Sequence, residues 1–232
     1  MQAPMSSLDA PRLAKKRLSI GVLMLDTRFP RPPGDIGNPL SFEALGVDVR
    51  YRVVPGASAR RVVEQRDPSL LQPFVDAGLQ LSRHGVQRIG TSCGFLAYFQ
   101  HELASALPVP VISSALLACE RLSYPGILTF NLAALDAQLL IAAGVPKGVP
   151  ARGVDPAGEF HRAIVEDRTE MDLAKAESEV VAAARSLVAD HPEVRTLVLE
   201  CTNMPPYRRA IEQATGRPTI DLLRLLTAPL ER

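Results

Sequence analysis

Two cysteines sit in matched surroundings. The stretch Arg88-Ile-Gly-Thr-Ser-Cys93-Gly reads as a buried strand that ends in polar residues and a thiol, followed by a helical stretch. Leu197-Val-Leu-Glu-Cys201-Thr repeats the arrangement in the second half of the chain. In open parallel sheets, ligands bind just beyond the carboxyl ends of strands, so both thiols stand where a site would be built. The N-terminus of a following helix lowers a thiol pKa and offers backbone N–H groups to an anion. Removing a hydrogen beside a carboxylate without a cofactor needs a base on one face of the carbon. Returning it on the other face needs an acid. A thiol, with a free pKa of about 8.5, suits both roles. The developing enediolate needs oriented donors, and Thr91, Ser92, Gly94, Thr202 and Asn203 flank the two thiols. The third cysteine, Cys119 in Leu116-Leu-Ala-Cys-Glu, has an apolar context and reads as an inert core residue.

Strand ends can present thiols in this way only if strands and helices alternate, and they do. Residues 18–25 form a continuous apolar run of the kind buried on both faces of a parallel sheet. Residues 27–39 carry four prolines and two glycines, which excludes a helix or central strand and predicts a long ordered loop. Strands are expected near 48–54, 86–90, 109–113, 126–130, 151–154, 194–199 and 219–221. Helices are expected over 69–83, from 94 to about 107, and over 115–122, 132–143, 169–189 and 205–215, with one more at the end. This is an α/β chain with mostly parallel sheets.

At 232 residues, 47% apolar and 22% charged, the chain can bury a substantial core. A formal net charge of +1, no Trp and 5% aromatic residues argue against nucleic acid or an acidic membrane as partner. Three dispersed cysteines without a CxxC predict neither a disulfide framework nor a zinc ribbon, and they favour a reducing, cytoplasmic setting. His84, His101, His161 and His191 are scattered and no metal site is expected. Lys15-Lys16-Arg17 before an apolar run resembles the opening of a signal peptide. The run ends in Asp26 and Arg28 without a small-residue cleavage site, so it reads as a first strand, with residues 1–15 a frayed leader.

Cys201-Thr202-Asn203-Met204-Pro205 resembles the Cys-Thr-His-x-Pro signature of the Asp/Glu racemase superfamily. That group includes glutamate, aspartate and hydantoin racemases, maleate isomerase and arylmalonate decarboxylase. The opening strand with Asp26 beyond it, and Cys93 at a later strand end, follow the same plan, and the likeness runs from Leu18 to the C-terminus. It implies two pseudo-symmetric α/β lobes, a first from 16–113 plus 206–232 and a second from 114–205. It also implies a cleft between the lobes with one catalytic cysteine from each, no cofactor, a small carboxylic acid as substrate and a homo-oligomer. The activity it implies is that of an isomerase, a racemase or epimerase in which Cys93 and Cys201 work on opposite faces of one carbon. A one-cysteine decarboxylase, suggested by Gly90-Thr91-Ser92, a one-cysteine cis-trans isomerase, and a binding protein without turnover are the alternatives.

Several positions depart from the superfamily pattern. Asn203 stands where glutamate racemases carry a His, and Glu200 where a Gly is common. A carboxylate beside Cys201 raises its pKa unless it is paired or turned away. Gly94-Phe95 replaces Asn-Thr, which leaves Ser92 and backbone N–H groups to meet a substrate carboxylate. The loop at 27–39 has two main readings: a rigid connection, or a wall of the site in which Arg28 or Arg31 pairs a substrate carboxylate and Asn38 donates a hydrogen bond; a polyproline ligand at Pro30-x-x-Pro33 is a lesser third. Asp26 is expected to orient Cys93 or the substrate.

Overall fold

The computed structural model describes residues 17–229. The leader, Lys15, Lys16 and the first-lobe boundary at residue 16 lie outside the described residues. The chain builds two four-stranded sheets, and every strand pair in them is parallel. The first half contains β1 (Ser19–Leu25), α1 (Leu40–Glu43), β2 (Asp48–Val54), α2 (Leu71–Arg83), β3 (Arg88–Thr91), α3 (Gln100–Ala106) and β4 (Val111–Ile112). The second contains β5 (Pro125–Thr129), α4 (Ala137–Ala142), β6 (Ala151–Gly153), α5 (Glu159–Val165), α6 (Leu173–Asp190), β7 (Thr196–Leu199), α7 (Arg208–Thr215), β8 (Thr219–Ile220) and α8 (Leu222–Thr227). The sheet orders are β2-β1-β3-β4 and β6-β5-β7-β8. The second order repeats the first strand for strand, so the matched cysteine contexts reflect a matched topology.

Burial explains the apolar runs. All residues of β3 and β5 are buried, as expected when helices cover both faces of a parallel sheet. In β1 the period of two divides the side chains between two packing regions. Leu23 and Leu25 join a core that includes residues of both halves, whereas Ile20, Val22 and Met24 pack with Ile36, Phe42 and α8. The long helix α6 starts where Asp172 accepts hydrogen bonds from the N–H groups of Ala174 and Lys175. It then buries Ala176, Val180, Ala183, Ala184 and Leu187 on one face.

Two elements differ from expectation. The helix foreseen over 132–143 begins only at Ala137, because the Asp136 carboxylate caps it through Leu139 N–H. Before it, Asn131 accepts from Ala134 N–H and stabilises a separate turn. The short helix α5 escapes a periodicity reading because its seven residues span only two turns.

The lobe boundary also needs correcting. Residues 206–220 do not belong to the first lobe: β8 pairs with β7, with Leu197 opposite Thr219 and Val198 opposite Ile220. Only α8 returns. Its Leu222, Leu223 and Leu226 are buried against the first sheet. Arg88 secures it by donating from Nη1 to the carbonyls of Leu226 at 2.7 Å and Ala228 at 2.5 Å, which satisfies the helix end. Gly90 makes the approach possible, since a Cβ there would lie 2.4 Å from Leu226 Cδ1. No helix among the described residues is long and apolar enough to cross a membrane.

This seat for α8 predicts coupled energetics. Gly90→Ala should destabilise the protein by about 1–3 kcal/mol through overpacking, and Leu226→Ala by about 2–5 kcal/mol. The double variant should cost less than the sum by at least about 0.5 kcal/mol, because the smaller residue at 226 makes room for the new methyl. Urea unfolding of the four proteins measures this, and strict additivity would refute the packing account.

Candidate active site

The carboxyl ends of β1, β3, β5 and β7 converge on one cavity. Leu25 closes β1, Ser92-Cys93-Gly94 follow β3, Phe130 follows β5, and Glu200-Cys201-Thr202-Asn203 follow β7. Within each sheet these are the neighbouring strands at which the order reverses, the position at which open α/β sheets bind ligands. Phe29, Ala59, Val63 and Ile164 complete a mostly apolar lining around a tight cavity, whose volume of about 10 Å³ is room for roughly one water.

Both strand-end thiols line this cavity and both are buried. Burial is the main reason the Cys93 thiol is pushed up to about 12, with the Glu200 carboxylate adding to the effect. Two backbone N–H groups, from Phe95 and Leu96 in the turn of helix after Cys93, act in the opposite direction. Cys201 is raised well above its ordinary value, first by burial and then by Glu200, against a single opposing N–H from Asn203. Its Sγ–H donates to Asn203 Oδ1 at 3.5 Å. The expectation that helix termini would bring both thiols toward neutrality is therefore corrected, because desolvation outweighs the N–H groups. Cys119 lies in the core away from the cavity, as its apolar context suggested.

Glu200 is the group that sequence reasoning noticed but could not place. It is fully buried between the two thiol-bearing turns. One carboxylate oxygen, Oε2, accepts from Thr129 Oγ1 at 2.7 Å, while Oε1 has no hydrogen-bond partner. Burial raises its pKa to about 8. Gly94 leaves the room for it: a Cβ at that position would meet Glu200 Oε1 at 2.3 Å and its backbone carbonyl at 2.1 Å.

Other sequence candidates divide into those at the cavity and those away from it. Ser92 lines the cavity, and its Oγ accepts from Leu25 N–H at 2.8 Å, which leaves its own hydrogen to donate. Thr91 does not reach the cavity; its hydroxyl lies within hydrogen-bond distance of the carbonyls of Ser113 and Cys93 and orders the turn. Thr202 and Asn203 line the cavity, but their polar groups bond within the protein. Thr202 Oγ1 donates to the Ser92 carbonyl at 2.7 Å, joining the halves, and Asn203 Nδ2 donates to Asp35 Oδ2 at 2.5 Å.

Asp26 and Asn38 are not at the site. Asp26 is exposed and accepts from Gly56 N–H, a turn contact. Asn38 bridges the Arg31 carbonyl and Leu40 N–H, which shapes the loop. The proline-rich loop is nonetheless a wall, through Phe29. Its arginines do not face the cavity: Arg28 pairs with Asp167, while Arg31 bonds Asp35 and Thr27 and lies over the Phe29 ring. Asp35, fully buried, links this loop to Asn203 and so to Cys201. The spacing of Arg31 and Asp35 by four residues was the available signal.

No family model matches the chain. It is 30% identical over 222 residues to a dimethylsulfoniopropionate lyase of Durusdinium sp. clade D, covering 90% of this chain and 72% of that one. It is 32% identical over 245 residues to dimethylsulfoniopropionate lyase 3 of Emiliania huxleyi (strain CCMP1516), where it spans 61% of the relative's length. Among solved structures, a sulfate-associated variant of arylmalonate decarboxylase has a TM-score of 0.59 at 16% identity, with 87% of each chain covered. An aspartate racemase homologue from Pyrococcus horikoshii OT3 has a TM-score of 0.52 at 14% identity, covering 90% of this chain and 96% of that one. The lyase names overturn the racemase, epimerase and isomerase expectation. That expectation came from the two thiols, and paired thiols specify proton removal beside a carboxylate without fixing what happens next. The chain belongs to the dimethylsulfoniopropionate lyase family and has the two-lobed fold also seen in arylmalonate decarboxylase and the aspartate racemase homologue.

Proposed function

We propose that this chain is a carbon–sulfur lyase that eliminates dimethyl sulfide from dimethylsulfoniopropionate and leaves acrylate. The observation that carries the reading is a thiol faced by two backbone N–H groups, in a chain that aligns over nine-tenths of its length with a lyase of that substrate. Cys93 acts as the base. Its thiolate removes a proton from the carbon beside the carboxylate. The released electron pair forms the carbon–carbon double bond, and the neighbouring C–S bond breaks with its pair going to sulfur. Sulfur leaves as neutral dimethyl sulfide, and the proton on Cys93 then passes to water. Cys201, whose S–H is held by Asn203, stays the protonated member of the pair. Ser92 and the backbone at Gly94 meet the substrate carboxylate, with Thr202 and Asn203 holding the wall in place.

The apolar lining suits this reaction. A thiolate and a sulfonium enter it as opposite charges, and a neutral thiol and a neutral sulfide result. Charges that cancel along the reaction path are helped by a cavity that solvates ions poorly. A bound cation also favours the thiolate over the thiol, which offsets the burial that raises Cys93.

Headspace gas chromatography of dimethyl sulfide tests the assignment. Cys93→Ser should lose about 10²–10⁴-fold in turnover, the range for removal of a general base. Cys201→Ser should lose less. Wild-type turnover in Cys93→Ser, or no dimethyl sulfide from the wild type, would overturn it. The reactive form is the deprotonated thiol, and burial places its pKa above neutrality. Therefore kcat/KM, which reports the free enzyme, should climb from pH 6 to pH 9. A profile that declines over that range would assign the base to another group.

A further inference from the structure

We propose that Glu200 is the counter-ion for the substrate's onium centre, so that the site selects carboxylic acids with a cationic head over acids of the same shape with an uncharged head. This takes the sulfonium substrate from the lyase reading and adds the group that recognises its charge. Glu200 is fully buried and lines the cavity that holds both thiols. Of the buried side-chain atoms without a hydrogen-bond partner among the described residues, its Oε1 is the one that belongs to a residue of that cavity. Thr129 fixes the other oxygen. A buried carboxylate without a cation is costly and is kept in native structures only where something compensates it. No side-chain cation among the described residues does so. Arg31, in the adjoining wall, is paired with Asp35.

Two further features suit a cation. Phe29 and Phe130 line the same cavity, and the electron-rich faces of aromatic rings attract onium groups. Phe29 carries Arg31 at 4.4 Å from its ring centroid, and Phe130 is braced edge-on by Phe95 with centroids 5.6 Å apart. The missing side chain at Gly94 keeps Oε1 from being displaced, since any Cβ there would overlap it. Burial holds Glu200 toward its neutral form. An arriving cation favours the ionised form.

Two non-eliminating ligands separate this from a purely structural role. One is 3-(trimethylammonio)propionate, cationic and without a sulfide leaving group. The other is 4,4-dimethylpentanoate, its carbon isostere, which keeps the carboxylate and has an uncharged head. Isothermal titration of the full chain should show the cationic ligand bound at least about tenfold more tightly by the wild type. In Glu200→Gln, which keeps shape and hydrogen bonding, the two ligands should bind within about threefold of each other. Glu200→Asp, which keeps the charge, should retain part of the preference. Equal binding of the two ligands by the wild type, binding of neither, or an undiminished preference in Glu200→Gln each overturns the proposal. If the preference is present and depends on Glu200 but no dimethyl sulfide is released, the lyase reading fails and the onium site stands. Release of dimethyl sulfide without the preference sinks the onium site alone.

Discussion

The absence of a side chain at Gly94 is the constraint on which the site depends. The turn after β7 presses its Glu200 carbonyl and carboxylate into the space a Cβ would take, which brings the two strand ends into direct contact. Thr202 then donates across the seam to the Ser92 carbonyl. With these contacts in place, the carboxyl ends of four strands from two sheets face one small volume. Within each sheet the parallel pairing of β1 with β3 and of β5 with β7 puts both carboxyl ends on the same edge. The return of α8 across the first sheet, seated on Gly90 and held by Arg88, ties the halves a second time at a distance from the chemistry.

Electrostatics at the seam is organised by burial more than by pairing. Two thiols and a carboxylate share a mostly apolar enclosure, and each is pushed toward its neutral form. The surrounding polar groups are arranged in a directed chain. Arg31 fixes Asp35, Asp35 receives the Asn203 amide, and the Asn203 carbonyl receives the Cys201 S–H. This chain explains how an Asn serves where glutamate racemases carry a His. Its side-chain carbonyl accepts the S–H without a titratable group of its own.

Much of the architecture was legible from residues alone because buried parallel strands advertise themselves. The run at 18–25, the strand at 48–54 and the two strand–cysteine repeats appear close to where they were read. What escaped has physical reasons. Helix α5 spans too few residues to show a period, yet it contributes Ile164 to the cavity. Asp26 and Asn38 looked like site residues because they flank a strand end and a loop, but short polar side chains in turns satisfy nearby backbone first, and these do. The segment after Cys201 was assigned to the wrong lobe because β8 has only two residues, and its partner is visible only in the pairing with β7. Glu200 was conspicuous in the sequence, but its surroundings could not be read there, since only the fold shows that no side-chain cation among the described residues pairs with it.

The contrast between the racemase expectation and the lyase family lies in where charge goes. Inverting a stereocentre between two thiols starts from one thiolate and ends with one thiolate, so the enclosure must keep an anion throughout. Eliminating a sulfide from a sulfonium consumes an anion and a cation together. A cavity lined by Leu25, Phe29, Phe130 and Ile164 gives little solvation to a permanent anion, but it favours a reaction whose ions disappear. A carboxylate beside the thiols also has opposite consequences in the two cases. Against an anionic substrate alone, Glu200 repels. Against a molecule with a cationic head, it attracts the head and leaves the carboxylate end for Ser92 and the Gly94 backbone. In the proposed reaction, the residue one position before the second cysteine is what turns the pair toward elimination.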